Sequence, residues 1–293
     1  MKKFAYLCFS ILVFFDKIFK ILTKRSVLLW LKEFSEERSY TSIEILENKK
    51  VRFFTPNYLT KSSVINFNAE LETLEWINNF EKKKNLIFWD IGANIGLYSI
   101  YNSFKNPNSI TYAFEPSSSN IRILTRNISI NNLEKNIMII PNPLTNKENI
   151  FQQMNENQFV EGAAFNTFGE KFNFEGKEFK PIMKYNLLGT TMNYFIKNSI
   201  LDIPDYIKID VDGIEHLILE GGDKFLKNEK VKSVSIEINE NFKEQYEKVL
   251  NLMDKYEFKI LHKKHNNEFA VGKYKSVYNY LFVKQNRCSS LIN

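Results

Sequence analysis

Histidine and cysteine are almost missing from this chain. Three histidines (His216, His262, His265) and two cysteines (Cys8, Cys288) are all that its 293 residues contain. The cysteines stand near opposite ends and form no CxxC, so a zinc site and a disulfide framework are excluded and a reducing compartment is expected. Glycine is sparse, at 10 residues, which rules out collagen-like and low-complexity classes. Arginine is scarce too. The net charge of +6 comes from lysines spread over the whole length, in groups such as Lys82-Lys83-Lys84 and Lys263-Lys264. Nucleic-acid readers tend to cluster arginine and interleave aromatics, so this lysine is read as solvated surface and no nucleic-acid partner is expected.

What remains is ordinary globular composition, 44% hydrophobic and 25% charged, long enough for one large α/β domain with a small leading element. At the N-terminus Lys2-Lys3 precede an apolar run from Phe4 to Phe15, broken only by Ser10. That run is shorter than the ~20 residues of a spanning helix. It is like a signal-peptide core, but no small-x-small cleavage site follows. Instead helical spacing continues past Asp16, with Ile11, Phe14, Phe15, Ile18 and Leu22 on one face and Lys17, Lys20 and Lys24 on another. Residues 1–25 therefore predict a basic amphipathic helix. It suits peripheral contact with an anionic inner membrane face, or packing on the protein itself or on a second copy as a homodimer. The expected location is the cytoplasm.

Residues 26–85 predict a cap of helices and strands, with helical periodicity over 71–77 leading into the core. From residue 86 to 293 short apolar runs alternate with helical segments. Strands are expected over 86–91, 109–114, 136–140, 205–211, 231–238, 258–262 and 277–283, and helices over 96–104, 117–131, 191–197, 214–226 and 241–256. Residues 145–185, rich in Asn, Gln, Phe and Gly, have no clear period and read as an insertion of short hairpins. The alternation predicts an α/β fold with a seven-stranded, mostly parallel sheet. The final two strands, joined around Gly272, predict an antiparallel C-terminal hairpin, the layout of Rossmann-like class I methyltransferases.

Three motifs carry chemistry. In Trp89-Asp90-Ile91-Gly92-Ala93-Asn94-Ile95-Gly96 a buried strand delivers Asp90 and Gly92 to its carboxyl edge, where open α/β sheets bind ligands. Gly92 and Gly96 let the backbone turn tightly beside a ligand. Asn94 stands where a dinucleotide fingerprint has its second glycine, the one that lets backbone approach a pyrophosphate. That argues for a phosphate-free nucleoside, S-adenosylmethionine, over NAD(P). Glu115, followed by Pro116, ends the next strand about 20 residues on, where an acid can accept both hydroxyls of a ribose. The third motif, Lys208-Ile209-Asp210-Val211-Asp212-Gly213-Ile214-Glu215-His216, brings three carboxylates and a histidine to the same edge. Such crowding is costly unless a cation or substrate engages it.

As a set, these motifs resemble those of the FkbM-type methyltransferases, over residues 86–238, with Thr190-Thr191-Met192-Asn193 similar to the segment before the third motif. Two positions depart from that pattern: Asp212 stands where Glu is usual, and Asn193 where Asp is usual. The resemblance implies O-methylation, commonly of a sugar or polyketide hydroxyl, with Gly92, Asn94 and Gly96 framing the methionine moiety, Glu115 on the ribose and Asn142 near the adenine. A sugar hydroxyl is a poor nucleophile and calls for a base. Asp210 is the first candidate, with His216 and Asp212 beside it, and Asp210 with Asp212 could instead hold a divalent cation. A small-molecule or glycan acceptor is expected. The competing readings are an NAD(P)-dependent oxidoreductase or epimerase and a non-catalytic binding module of the same fold.

Overall fold

The computed structural model describes residues 1–178, 180–265 and 272–285, and Cys288 lies outside them. The chain begins with helix α1 (Lys2–Thr23), which Lys24 ends in a left-handed conformation, φ 60°. Helix α2 (Val27–Glu37) follows, N-capped by Ser26. Strands β1 (Tyr40–Leu46) and β2 (Lys49–Phe54) form an antiparallel pair. Helix α3 (Tyr58–Ile65) starts at Asn57, whose side chain accepts from Thr60 N at 3.0 Å, and α4 (Leu71–Asn78) completes the cap.

The core opens with β3 (Leu86–Ile91), buried along its whole length as an apolar run in a parallel sheet should be. Then come α5 (Leu97–Lys105), β4 (Ser109–Phe114), α6 (Ser118–Ile130) and β5 (Ile137–Ile140). Ser117 caps α6 by accepting from Asn120 N, as its position before the apolar stripe predicts. The stretch without a period folds as β6 (Ile150–Glu156), β7 (Thr167–Phe168) and β8 (Met183–Gly189), a separate antiparallel sheet in the order β7-β6-β8. Helix α7 (Met192–Lys197), β9 (Tyr206–Ile209), α8 (Glu215–Glu220), β10 (Ser233–Asn239), α9 (Lys243–Lys255), β11 (Phe258–Lys264) and β12 (Val277–Lys284) follow.

The main sheet has seven strands in the order β11-β12-β10-β9-β3-β4-β5. Its central strands are parallel, and β12 runs antiparallel to both β10 and β11, as the expected C-terminal hairpin requires. Trp89, Ile207 and Ile236 pack with Met192, Phe225 and Val249 on one side of the sheet. Ile100, Leu124 and Ile128 pack with Phe53 from β2 on the other. Helix α8 is shorter than the 214–226 its pattern predicts. A Cβ on Gly221 would lie 2.3 Å from the Thr145 carbonyl oxygen, and this close approach coincides with the change from helix to turns.

Candidate active site

The chain runs from β3 outward through β4 to β5 on one side, and from β9 to β10 on the other. The carboxyl ends of β3 and β9 therefore flank a topological switch point, the place where open α/β sheets form a ligand crevice. A cavity of about 410 Å³ opens there, inside the ~300–1,000 Å³ range of small-molecule sites.

Gly92 turns the chain at φ +87°, and a Cβ there would stand 1.8 Å from the Asp210 carbonyl oxygen, so no side chain fits where the two strand ends meet. The amides of Gly92 and Ala93 both donate to Phe114 O at 3.0 Å, which fixes the turn on β4. Asn94 takes φ 50°, a left-handed conformation that asparagine tolerates. Its amide donates to Glu115 Oε2 at 2.7 Å, while Ser117 N donates to Oε1 at 2.8 Å. Glu115 is 5% exposed, and burial pushes its carboxyl up to about 7. Glu115 lines the cavity, where a strand-end carboxylate can meet a ribose diol. Asn94 Oδ1 is buried with no partner among the described residues, as expected of an atom that awaits a ligand donor. Pro116 and Asn142 also line the cavity, and Asn142 Nδ2 donates to Leu188 O at 3.0 Å.

Two residues of the first motif stand behind the cavity instead of lining it. Asp90, 1% exposed, accepts from Ser99 Oγ at 2.6 Å and ties the sheet to α5. Gly96 starts α5 at φ +88°, where a Cβ would lie 2.5 Å from Leu124 Cδ1. Asp90 is therefore a support of the turn and not a cavity group, a correction to the expected cofactor contact.

The third motif divides. Asp210 and Asp212 line the cavity, but Glu215 and His216 turn away from it. Glu215 accepts from Gly213 N at 3.1 Å, from Val211 N at 3.2 Å and from Gln245 Nε2, so it locks the turn after β9. His216, 5% exposed on α8, lies outside the cavity lining. Burial, and then the charge of Lys248, hold its imidazole below the ordinary histidine range. The expectation of His216 as a base is thus corrected by the direction α8 takes on leaving Gly213. Asn193, the other departure from the family pattern, donates to Asp223 Oδ1 at 2.6 Å and lies outside the cavity lining. Asp212, at φ 63°, accepts from Phe165 N at 2.6 Å, and burial with the neighbouring Asp210 charge pushes its carboxyl up to about 8.

Four further titratable groups at or beside the cavity escaped the sequence. Lys208, 2% exposed, donates to Asp210 Oδ2 at 2.5 Å and lies 4.9 Å over the Tyr98 ring. Burial alone would lower Lys208, but Asp210, Glu70 and Asp90 outweigh it and hold the ammonium firmly charged. The cap contributes Glu70, which hydrogen-bonds Tyr98. β10 contributes Glu237, standing beside Asp210 because Ile236 pairs with Ile209. Glu70, Asp210 and Glu237 offer carboxylate oxygens within 4.8 Å of one another, so among the described residues these three, without Asp212, are the set that could hold a cation. Lys208 already places one positive charge among them. Lys208 was legible in principle, since residues i and i+2 of a strand share a face. Glu70 had no motif to announce it.

The doubly wound sheet with its reversed closing strand, and a crevice formed by a glycine turn and one buried acid, define a class I methyltransferase. The methyltransferase FkbM domain matches residues 90–260, and the chain belongs to that family. The enzyme is an S-adenosylmethionine-dependent methyltransferase. Among solved structures it is similar to the precorrin-6y C5,15-methyltransferase from Geobacter metallireducens GS-15, at 13% identity and TM-score 0.42 over 73% of this chain and 85% of that chain. It is similar to M. capricolum TrmK in complex with S-adenosyl-homocysteine, at 15% identity and TM-score 0.42 over 73% and 67%. It is also similar to M. jannaschii TYW2 in complex with AdoMet, at 14% identity and TM-score 0.41 over 84% and 87%. A search of curated proteins found no match.

Proposed function

We propose that the enzyme O-methylates a hydroxyl of a sugar, glycan or glycolipid precursor, with Asp210 as the general base. S-adenosylmethionine, when bound, supplies an electrophilic sulfonium methyl. The residues that fit it are those around the cavity's first half: the Gly92 turn, Asn94 with its unpartnered oxygen, and Glu115 for the ribose hydroxyls.

The observation that carries the acceptor reading is the other end of the same cavity. There Asp210 and Glu70 line the cavity, with Lys208 on Asp210 and over the Tyr98 ring. Carboxylates accept hydrogen bonds from hydroxyls, and a positioned carboxylate can take the acceptor proton as the new bond forms. Lys208 holds Asp210 in one orientation, while Phe67 and Tyr98 offer apolar surface for a sugar ring.

Asp210→Asn is expected to lower kcat by roughly 10²–10⁴-fold while changing S-adenosylhomocysteine affinity only a few-fold. Labelled methyl transfer to cell-envelope carbohydrate fractions is expected with the wild-type enzyme. Wild-type turnover in the variant would remove Asp210 as base, and label appearing only in non-carbohydrate fractions would remove the acceptor class.

A further inference from the structure

The first two helices are built inside out. The one buried residue of α1 is Asp16, and α2 has none. Twelve large apolar side chains on α1 and five on α2 are exposed, Phe4 at 71%, Leu22 at 77% and Trp30 at 55% among them. Among the described residues, the remaining exposed large apolar side chains, apart from Met1, are spread over ten positions from Tyr58 to Ile260. A concentrated apolar surface of this kind needs a partner of low polarity.

Asp16 sets the shape of that surface. Its carboxylate accepts from Ser26 Oγ at 3.0 Å, Val27 N at 2.6 Å and Leu28 N at 3.1 Å, so it caps α2 and closes the two helices into a hairpin. The far end of α2 is tied to the methyltransferase core, where Glu36 pairs with Arg122 and with Arg126, the latter at 3.4 Å. The hairpin is thus a defined projection of the enzyme.

Two observations choose the partner. Across residues 1–37 the hairpin carries seven basic side chains (Lys2, Lys3, Lys17, Lys20, Lys24, Arg25 and Lys32) against four acids, of which Asp16 is held at the hairpin bend and Glu33, Glu36 and Glu37 stand toward the core end of α2, with Glu36 paired to arginines. A second copy would bring like charges together, whereas an anionic lipid surface complements them. The apolar run from Phe4 to Phe15 is about 18 Å long as a helix, against the ~30 Å of a bilayer core. No helix of the described residues is long and apolar enough to cross a membrane. We infer that the α1–α2 hairpin is a monotopic anchor that lies in the headgroup region of an anionic bilayer, with its phenylalanines among the acyl chains and its lysines on the phosphates. This inference stands independently of the acceptor reading.

Sedimentation of the full chain with vesicles tests it. The enzyme is expected to pellet with phosphatidylcholine vesicles containing phosphatidylglycerol, to stay in solution with phosphatidylcholine alone, and to be released by high salt. Lys17→Ala and Lys24→Ala should each weaken the binding about fivefold. Phe9→Ser with Phe14→Ser should abolish it, and all variants should keep wild-type affinity for S-adenosylhomocysteine, which reports an intact core. No binding to either vesicle, or equal binding by wild type and lysine variants, would overturn the inference. So would a dimer in lipid-free buffer that the phenylalanine variants dissociate.

Discussion

Glu115→Gln is the sharpest probe of the crevice. In the wild type both carboxylate oxygens are held by backbone amides, from Asn94 at 2.7 Å and from Ser117 at 2.8 Å, and the residue lines the cavity. Two ribose hydroxyls would add charge-assisted hydrogen bonds worth about 1.5–3 kcal/mol, so the neutral variant should bind S-adenosylhomocysteine roughly 10- to 150-fold more weakly. The amide nitrogen of Gln must also face an N–H, which should cost about 1–3 kcal/mol of stability. Because burial places the free carboxyl at about 7, ligand binding must first expel its proton. Wild-type affinity should therefore rise about tenfold between about pH 6 and about pH 8, and this slope should vanish in the variant. Isothermal titration calorimetry across that range measures both. A variant that binds within about twofold of wild type, with the same pH slope, would refute the assignment of Glu115 to the ribose.

Other outcomes follow from the same geometry. Gly92→Ala places a Cβ 1.8 Å from the Asp210 carbonyl at φ +87°, and should cost about 3 kcal/mol or more in thermal or chemical unfolding. Ligand-free stability should fall as pH rises from about 5 to about 8. Burial keeps Glu115 and Glu215 protonated up to about 7 and Asp212 up to about 8, while the unfolded chain releases those protons near 4, each group adding up to about 1.4 kcal/mol per pH unit. Denaturant midpoints measured across that window check the sign. His216→Gln should leave kcat within about twofold and the pH–rate profile unchanged, because His216 lies outside the cavity lining. Asp16→Ala should remove the acceptor of the Val27 and Leu28 amides while Ser26 still caps α2, and be visible as faster amide exchange at Val27 and Leu28 with an unchanged core.

The parallel core could be read from the chain because its signals are local. Apolar runs such as 86–91 are buried on both faces and bounded by turn residues, and Gly92, Gly96 and Glu115 announce themselves by position at strand ends. What escaped depends on orientation or on distance along the chain. His216 and Glu215 share a motif with Asp210, yet they come after the Gly213 bend at φ +122°, on α8, and lie outside the cavity lining. Glu70 enters the cavity from a cap some 140 residues before Asp210, and no short pattern encodes that meeting. The 145–185 stretch concealed its strands because β6 and β8 lie in a small sheet with half-exposed faces, so apolar runs were not required.

The cap has one further consequence. The segment shared with the family starts at residue 90, whereas Ser62, Phe67 and Glu70 reach the crevice from the stretch ahead of it. On the acceptor reading, one wall of that end would come from the cap, while Asp210 and Lys208 come from the stretch shared with the family. Exchanging residues 57–80 for those of a relative would then vary what packs beside the acceptor while Gly92, Asn94 and Glu115 stay in place.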